Sequence, residues 1–235
     1  ASDDERSDAL EACIDDMDEI EATNHQVYHY YKIACIAGRG KLSGVLGRIR
    51  WGLKLRASEG AALESTKADG AYVGGTEAGG ILRVMSAVRG NRKAKPLGLY
   101  DAEEAVKFAK LALESKGAVF YPVPAGSEPQ FLSGKQYYEN YYYFGQATVA
   151  FGIEEDSANK VAQGRKVLKS TVNMIGRLQQ RNRLPRGRDP ETKYYKSMMV
   201  ELSGYITECS GVSEDADPSS WRDDWKSCLM TKLED

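Results

Sequence analysis

Histidine is almost absent from this chain: His25 and His29 are the two among 235 residues. They lie four apart on an expected helix with Glu21 one turn earlier, a spacing that can hold a metal on one face. No third ligand follows at a recognisable spacing, so neither a metal site nor a Ser–His–Asp triad is expected. No CxxC pair exists among the four cysteines, which argues against structural zinc. No apolar run approaches the roughly 18 to 20 residues that span a bilayer. Net charge is also scarce: the formal value of -2 gives no bulk drive toward nucleic acid or an anionic membrane. Internal repeats and low-complexity tracts are missing. A signal-type apolar segment is missing too, so the start at Ala1-Ser2-Asp3-Asp4-Glu5 reads as a processed end or an artificial one.

What is present suits a globular protein. Hydrophobic residues make up 42%, too many for a disordered chain, and the length fits one large domain or two small ones. Charge comes in blocks. Residues 1–20 hold nine acidic side chains and one Arg; residues 32–56 hold seven cations (Lys32, Arg39, Lys41, Arg48, Arg50, Lys54 and Arg56) and no acid. A second basic cluster spans Arg177, Arg181, Arg183, Arg186 and Arg188. Such blocks serve as solvated faces, or they orient a protein on a charged partner.

Helical spacing dominates, and the fold class expected is mainly α: an irregular helical domain with a long Gly-rich extended arm. One helix is expected over residues 8–35. Asp101 reads as an N-cap with Glu103 and Glu104 in the first turn, opening a helix over 102–116. Longer helices are expected over 156–182 and 190–209, the second with Pro190 near its start and Gly211 past its end. A last short helix carries Trp221, Trp225, Leu229 and Leu233. Gly70, Gly74, Gly75, Gly79 and Gly80 are too dense for an ordinary helix interior, so residues 57–98 read as the extended arm. The organisation expected is therefore 1–56, an acidic helix and basic segment; 57–98, the arm; and 99–235, a helical domain.

No catalytic constellation emerges. Gly38-Arg39-Gly40-Lys41-Leu42-Ser43 fails as a phosphate loop, because no Gly stands five residues before Gly40 and Leu42 stands where Ser or Thr is needed; a basic, flexible turn is expected instead. Tyr137, Tyr138, Tyr141, Tyr142, Tyr143 and Phe144 form an aromatic cluster, with Tyr194, Tyr195 and Tyr205 further on. It suits either a core with phenols at its rim or a wet interface. The thiols are dispersed: Cys13 in an acidic helix, Cys35 beside a basic turn, Cys209 at a helix end, and Cys228. Each reads as a buried inert thiol, one of a disulfide pair, or an attachment point for a prosthetic group.

Residues 142–210 carry a further pattern: Tyr143-Phe144-Gly145, Gly152, Lys160-Val161-Ala162, Leu178-Gln179-Gln180, then Tyr195 and Ser197, and finally Glu208-Cys209-Ser210. This stretch resembles the γ subunits of red-algal phycoerythrin, the chromophore-bearing linkers of phycobilisome rods. The resemblance implies a non-enzymatic linker or scaffold of a light-harvesting antenna. Its partners would be phycobiliprotein or other antenna and photosystem subunits in a hetero-oligomeric assembly. It would bind no nucleic acid and be peripheral to a membrane at most. It also implies a chloroplast, thylakoid-associated location after removal of a transit peptide. A covalent phycobilin, phycoerythrobilin or phycourobilin, is implied on Cys209, with Cys13, Cys35 and Cys228 as lesser sites. Thr148 stands where that family tends to carry another cysteine. Two other readings remain open. One is an unpigmented helical-bundle subunit docked on a membrane complex such as a photosystem. The other is a secreted or effector-type binding protein, for which disulfides are expected.

Overall fold

A single helix over residues 8–35 would hold Cys13 and Cys35 about 33 Å apart. In the computed structural model their Cα atoms are 6.3 Å apart and their sulfurs are bonded. The chain folds back between them, giving α1 (Asp3–Glu19) and α2 (Gln26–Leu42) as an antiparallel pair. The structure describes residues 2–20, 26–68, 71–72, 76–115, 119–121, 130–132, 138–180, 190–213 and 216–234. Over these the protein is mainly helical.

α1 begins with a capping box. The Ser2 hydroxyl accepts from the Glu5 amide, and the Glu5 carboxylate accepts from the Ser2 amide. Its acids then meet the cations of the next two helices. Arg39 donates to Glu11 at 2.7 Å, and Asp18 takes Lys54 at 2.6 Å and Lys32 at 3.2 Å. The segment expected as a flexible turn, 38–43, is instead helical through Leu42. Gly38 lies against the Leu10 side chain, and Arg39 is held by Glu11.

α3 (Val45–Ser65) returns antiparallel to α2, as the bond from Gln26 Nε2 to the Ser65 carbonyl requires. The lysine hydrogen bonds, Lys54 above all, hold the Asp18 carboxyl below its ordinary value, against a smaller opposing effect of burial. A lowered carboxylate pKa adds stability above the unfolded value, lost as pH falls through the folded one. Asp18→Asn should therefore cost up to about 1 kcal/mol at neutral pH, because the site is partly exposed. The gap between variant and parent should narrow as pH falls below about 4, as read by urea unfolding.

Of residues 57–98, expected as the arm, those the structure describes are largely helical. Residues 57–65 complete α3, α4 covers Thr76–Arg89, and a 3-10 turn covers Arg92–Leu97 before Gly98 at φ 63°. Residue 56 lies inside α3. Gly79 and Gly80 sit within α4 because neighbours press on them: a Cβ on Gly79 would meet Ser115 Oγ at 2.4 Å, and one on Gly80 the Tyr30 ring at 2.5 Å. Tertiary contact at these positions outweighs glycine's weak helix propensity. Gly70, Gly74 and Gly75 lie outside the described residues.

α5 (Ala102–Glu114) starts at the expected Asp101 cap, whose side chain accepts from the Glu104 amide at 2.9 Å. It packs antiparallel to α4, with Ser86 Oγ bonded to the Ala105 carbonyl. Ile14, Ile33, Ile36, Leu82, Met85 and Phe108 centre the core of this first lobe. Two short antiparallel ladders also form: β1 (Lys67–Ala68) with β2 (Ala71–Tyr72), and β3 (Val119–Tyr121) with β4 (Gln130–Leu132).

The second lobe comprises α6 (Tyr138–Glu154), α7 (Ala158–Gln180), α8 (Pro190–Ser210), a 3-10 turn at Pro218–Ser220, and α9 (Trp225–Glu234). Gly211 at φ 69° ends α8 where the sequence placed the stop. Trp221 precedes the last helix rather than lying in it, and its ring meets Trp225 edge-on. α6 joins the lobes. Asn140 donates to the Ala112 carbonyl, Glu139 pairs with Arg83, and Tyr100 donates to Glu154.

Candidate functional site

All four cysteine sulfurs are used by one another. Cys13 bonds Cys35 and Cys209 bonds Cys228, so no cysteine is free. The first bond ties α1 to α2, and the second ties the end of α8 to α9. In this arrangement the sulfurs proposed as bilin attachment points, Cys209 first and then Cys13, Cys35 and Cys228, have no valence left for a thioether. Cys35 and Cys209 are also buried, as expected of cysteines that staple a core. His29 is buried with its ring edge-on to Tyr28, while His25 and Glu21 lie outside the described residues. Among the described residues no three His, Cys, Asp or Glu side chains gather as a metal would need.

The aromatic cluster divides by helical face. Tyr138, Tyr142 and Tyr143 are buried and gather edge-on around Tyr195 from α8. The Tyr143 and Tyr195 hydroxyls share a hydrogen bond at 3.2 Å. Burial first, and then neighbouring Tyr143 and Glu139, push the Tyr195 phenol well above its ordinary pKa, so it stays protonated. Tyr141 and Phe144 face the other way and line an open groove with Lys166, Met174 and Arg177 of α7. Tyr137 lies outside the described residues. The two readings of the cluster thus apply to different members of it.

The basic block is divided too, and this shapes the main candidate surface. Lys32, Arg39 and Lys54 are neutralised by the acids of α1. Among the described residues Lys41, Arg48 and Arg50 make no ion pair, and Arg56 turns to the Leu97 carbonyl. These three cations lie exposed around the corner joining α2 to α3. Arg48 donates to the Ser43 carbonyl and Arg50 lies over the Trp51 ring, so both are positioned rather than loose. The corner also carries the most exposed large apolar side chains of the described protein: Leu46 at 84% and Val45 at 74%, with Ile49 and Leu53 continuing the stripe along α3. Val45 and Leu46 thus form an exposed apolar tip ringed by cations that no carboxylate among the described residues neutralises. The cations are legible in the sequence directly, whereas the stripe shows only as a spacing. The spacing Leu46, Ile49, Leu53 beside them is the signal that would have found it.

No protein-family model, no curated protein and no solved structure matches this chain. Among the described residues no helix is long and apolar enough to cross a membrane.

Proposed function

We propose that this chain is a non-enzymatic helical binding protein that docks peripherally on an anionic membrane surface through the α2–α3 corner. The observation that carries the reading is the corner itself, where Val45 and Leu46 stand exposed among Lys41, Arg48 and Arg50. A bilayer with acidic headgroups meets both needs at once: the apolar tip enters the headgroup–acyl boundary and the cations remain among the phosphates. The overall charge of -2 does not oppose this, since exposed charges beyond about 10 Å are screened at 0.1 M salt. Two disulfides suit an oxidising compartment, in keeping with a secreted or effector-type protein. The scaffold part of the antenna-linker reading needs no thiol and agrees with peripheral docking. Its pigment part needs a cysteine outside these bonds.

Val45→Ser with Leu46→Ser should remove the apolar contribution, and Arg48→Glu with Arg50→Glu the electrostatic one. Burying one leucine is worth roughly 2 kcal/mol, so the first pair should weaken vesicle partition at least tenfold. Each cation is worth about 1 kcal/mol near an acidic surface, so the reversed pair should lose still more. Co-sedimentation with phosphatidylcholine–phosphatidylserine vesicles reads both, and circular dichroism should show the fold intact because all four side chains are exposed. Undiminished partition in both variants would end the proposal. A protein that is dimeric in solution, and becomes monomeric with the serine pair, would assign the corner to a second copy instead.

A further inference from the structure

Between the two lobes lies a cleft of about 520 Å³, walled by α2, α3, α4, the 3-10 turn after α4, α6 and α8. That volume falls in the range of roughly 300 to 1,000 Å³ typical of small-molecule sites. Its two ends differ in chemistry. At one end Tyr30 lies against Gly80, and one turn further along α4 Arg83 pairs with Glu139 at 3.2 Å. Glu139 is only 2% exposed, and the ion pair uses its Oε2 alone. Its Oε1 is buried with no hydrogen-bond partner. A carboxylate oxygen left so in a protein interior needs a donor from elsewhere.

The other end is basic. Lys41, Arg48 and Lys93 line it, and none of them pairs with a carboxylate among the described residues. Lys41 lies eleven residues after Tyr30 on α2, which sets the two ends about 16 Å apart. Between them the wall is apolar, with Ile36, Trp51, Leu55, Val84, Val88 and Leu97.

We infer that this cleft binds an amphipathic carboxylate of about that length carrying a hydroxyl at its far end. The carboxylate sits among Lys41, Arg48 and Lys93. The chain lies along the apolar wall, and the terminal hydroxyl donates to Glu139 Oε1. Each part answers a feature that the protein leaves unmatched: unpaired cations, an apolar passage and an orphan acceptor. The inference does not depend on membrane docking, since a soluble ligand would meet the same groups.

Calorimetric titration of the full chain with 12-hydroxydodecanoate and with dodecanoate, both below their micellar concentrations, tests it. The hydroxy acid should bind with one-to-one stoichiometry, and about tenfold more tightly than dodecanoate, the usual worth of a hydrogen bond to a charged acceptor. Lys41→Ala with Arg48→Ala should weaken both probes by a similar factor. Ala37→Phe, which fills the passage from its wall, should abolish both. Replacing the buried pair with Arg83→Met and Glu139→Leu keeps the volume without stranding a charge. That variant should bind both probes alike. Absence of binding by either probe would overturn the inference. So would binding that survives Ala37→Phe, or a hydroxyl preference that survives replacement of Arg83 and Glu139. Loss of vesicle docking with these results intact would sink the docking proposal alone.

Discussion

Reduction of both disulfides is expected to lower the unfolding free energy by about 6 kcal/mol. The bonds close loops with sequence separations of 22 and 19 residues. Loop-closure entropy assigns each about 3 kcal/mol, by narrowing the unfolded ensemble. Typical domains have only about 5 to 15 kcal/mol in all, so the reduced chain should lie near its limit of stability. The effect should also be local. α1 contributes one fully buried side chain, Ile14, with Leu10 and Cys13 packed beside it. Beyond these, ion pairs from Glu11 and Asp18 hold it, and such partly exposed pairs are weak. Cys13→Ser with Cys35→Ser should therefore raise amide exchange in α1 first, and Cys209→Ser with Cys228→Ser should do so in α9. Guanidinium unfolding with and without reductant measures the total. Equal midpoints would mean that the bonds are absent or contribute nothing.

Gly164→Ala should cost about 2 kcal/mol net, whereas Gly176→Ala on the same helix should be neutral or stabilising by up to about 1 kcal/mol. At Gly164 a Cβ would lie 2.6 Å from Val149 Cγ2, 2.8 Å from the Gly145 carbonyl oxygen and 3.0 Å from the Val149 amide nitrogen. Two of these three are backbone atoms, so no side-chain rotation relieves the contact and α6 must move off α7. At Gly176 nothing lies within 4 Å, so only the gain in helix propensity remains. A melting temperature moves by roughly 2 to 4 °C per kcal/mol for a chain of this size. The two variants should thus move in opposite directions by amounts a thermal scan resolves. A shift of the same sign and size at both sites would contradict the close α6–α7 crossing.

The parts of the fold legible in the sequence are those fixed by local chemistry. The Asp101 cap, the start of α8 at Pro190 and its stop before Gly211 follow from which residues satisfy helix-end groups, and they stand where spacing put them. The turn between α1 and α2 was not legible, because apolar spacing runs on across it and the fold-back is enforced by contacts between distant residues. Glycine density misled for the same reason: at Gly79 and Gly80 the lack of a side chain serves Ser115 and Tyr30, which arrive from other elements. Four cysteines allow three pairings, and nothing local chooses among them. The corner was half visible. Its cations could be read directly, but which of them stay unpaired depends on how α1 lies against α2 and α3. The cleft was invisible, since Glu139 and Arg83 stand 56 positions apart and only the packing of α6 on α4 brings them together.

Docking on an acidic membrane surface is tested most directly by the partition of the unmodified chain onto vesicles, phosphatidylcholine alone against phosphatidylcholine with phosphatidylserine, at low and at raised salt. Partition is expected on the phosphatidylserine vesicles alone, and it should fall as salt screens the corner cations. Equal partition on both lipids, or none on either, would contradict it.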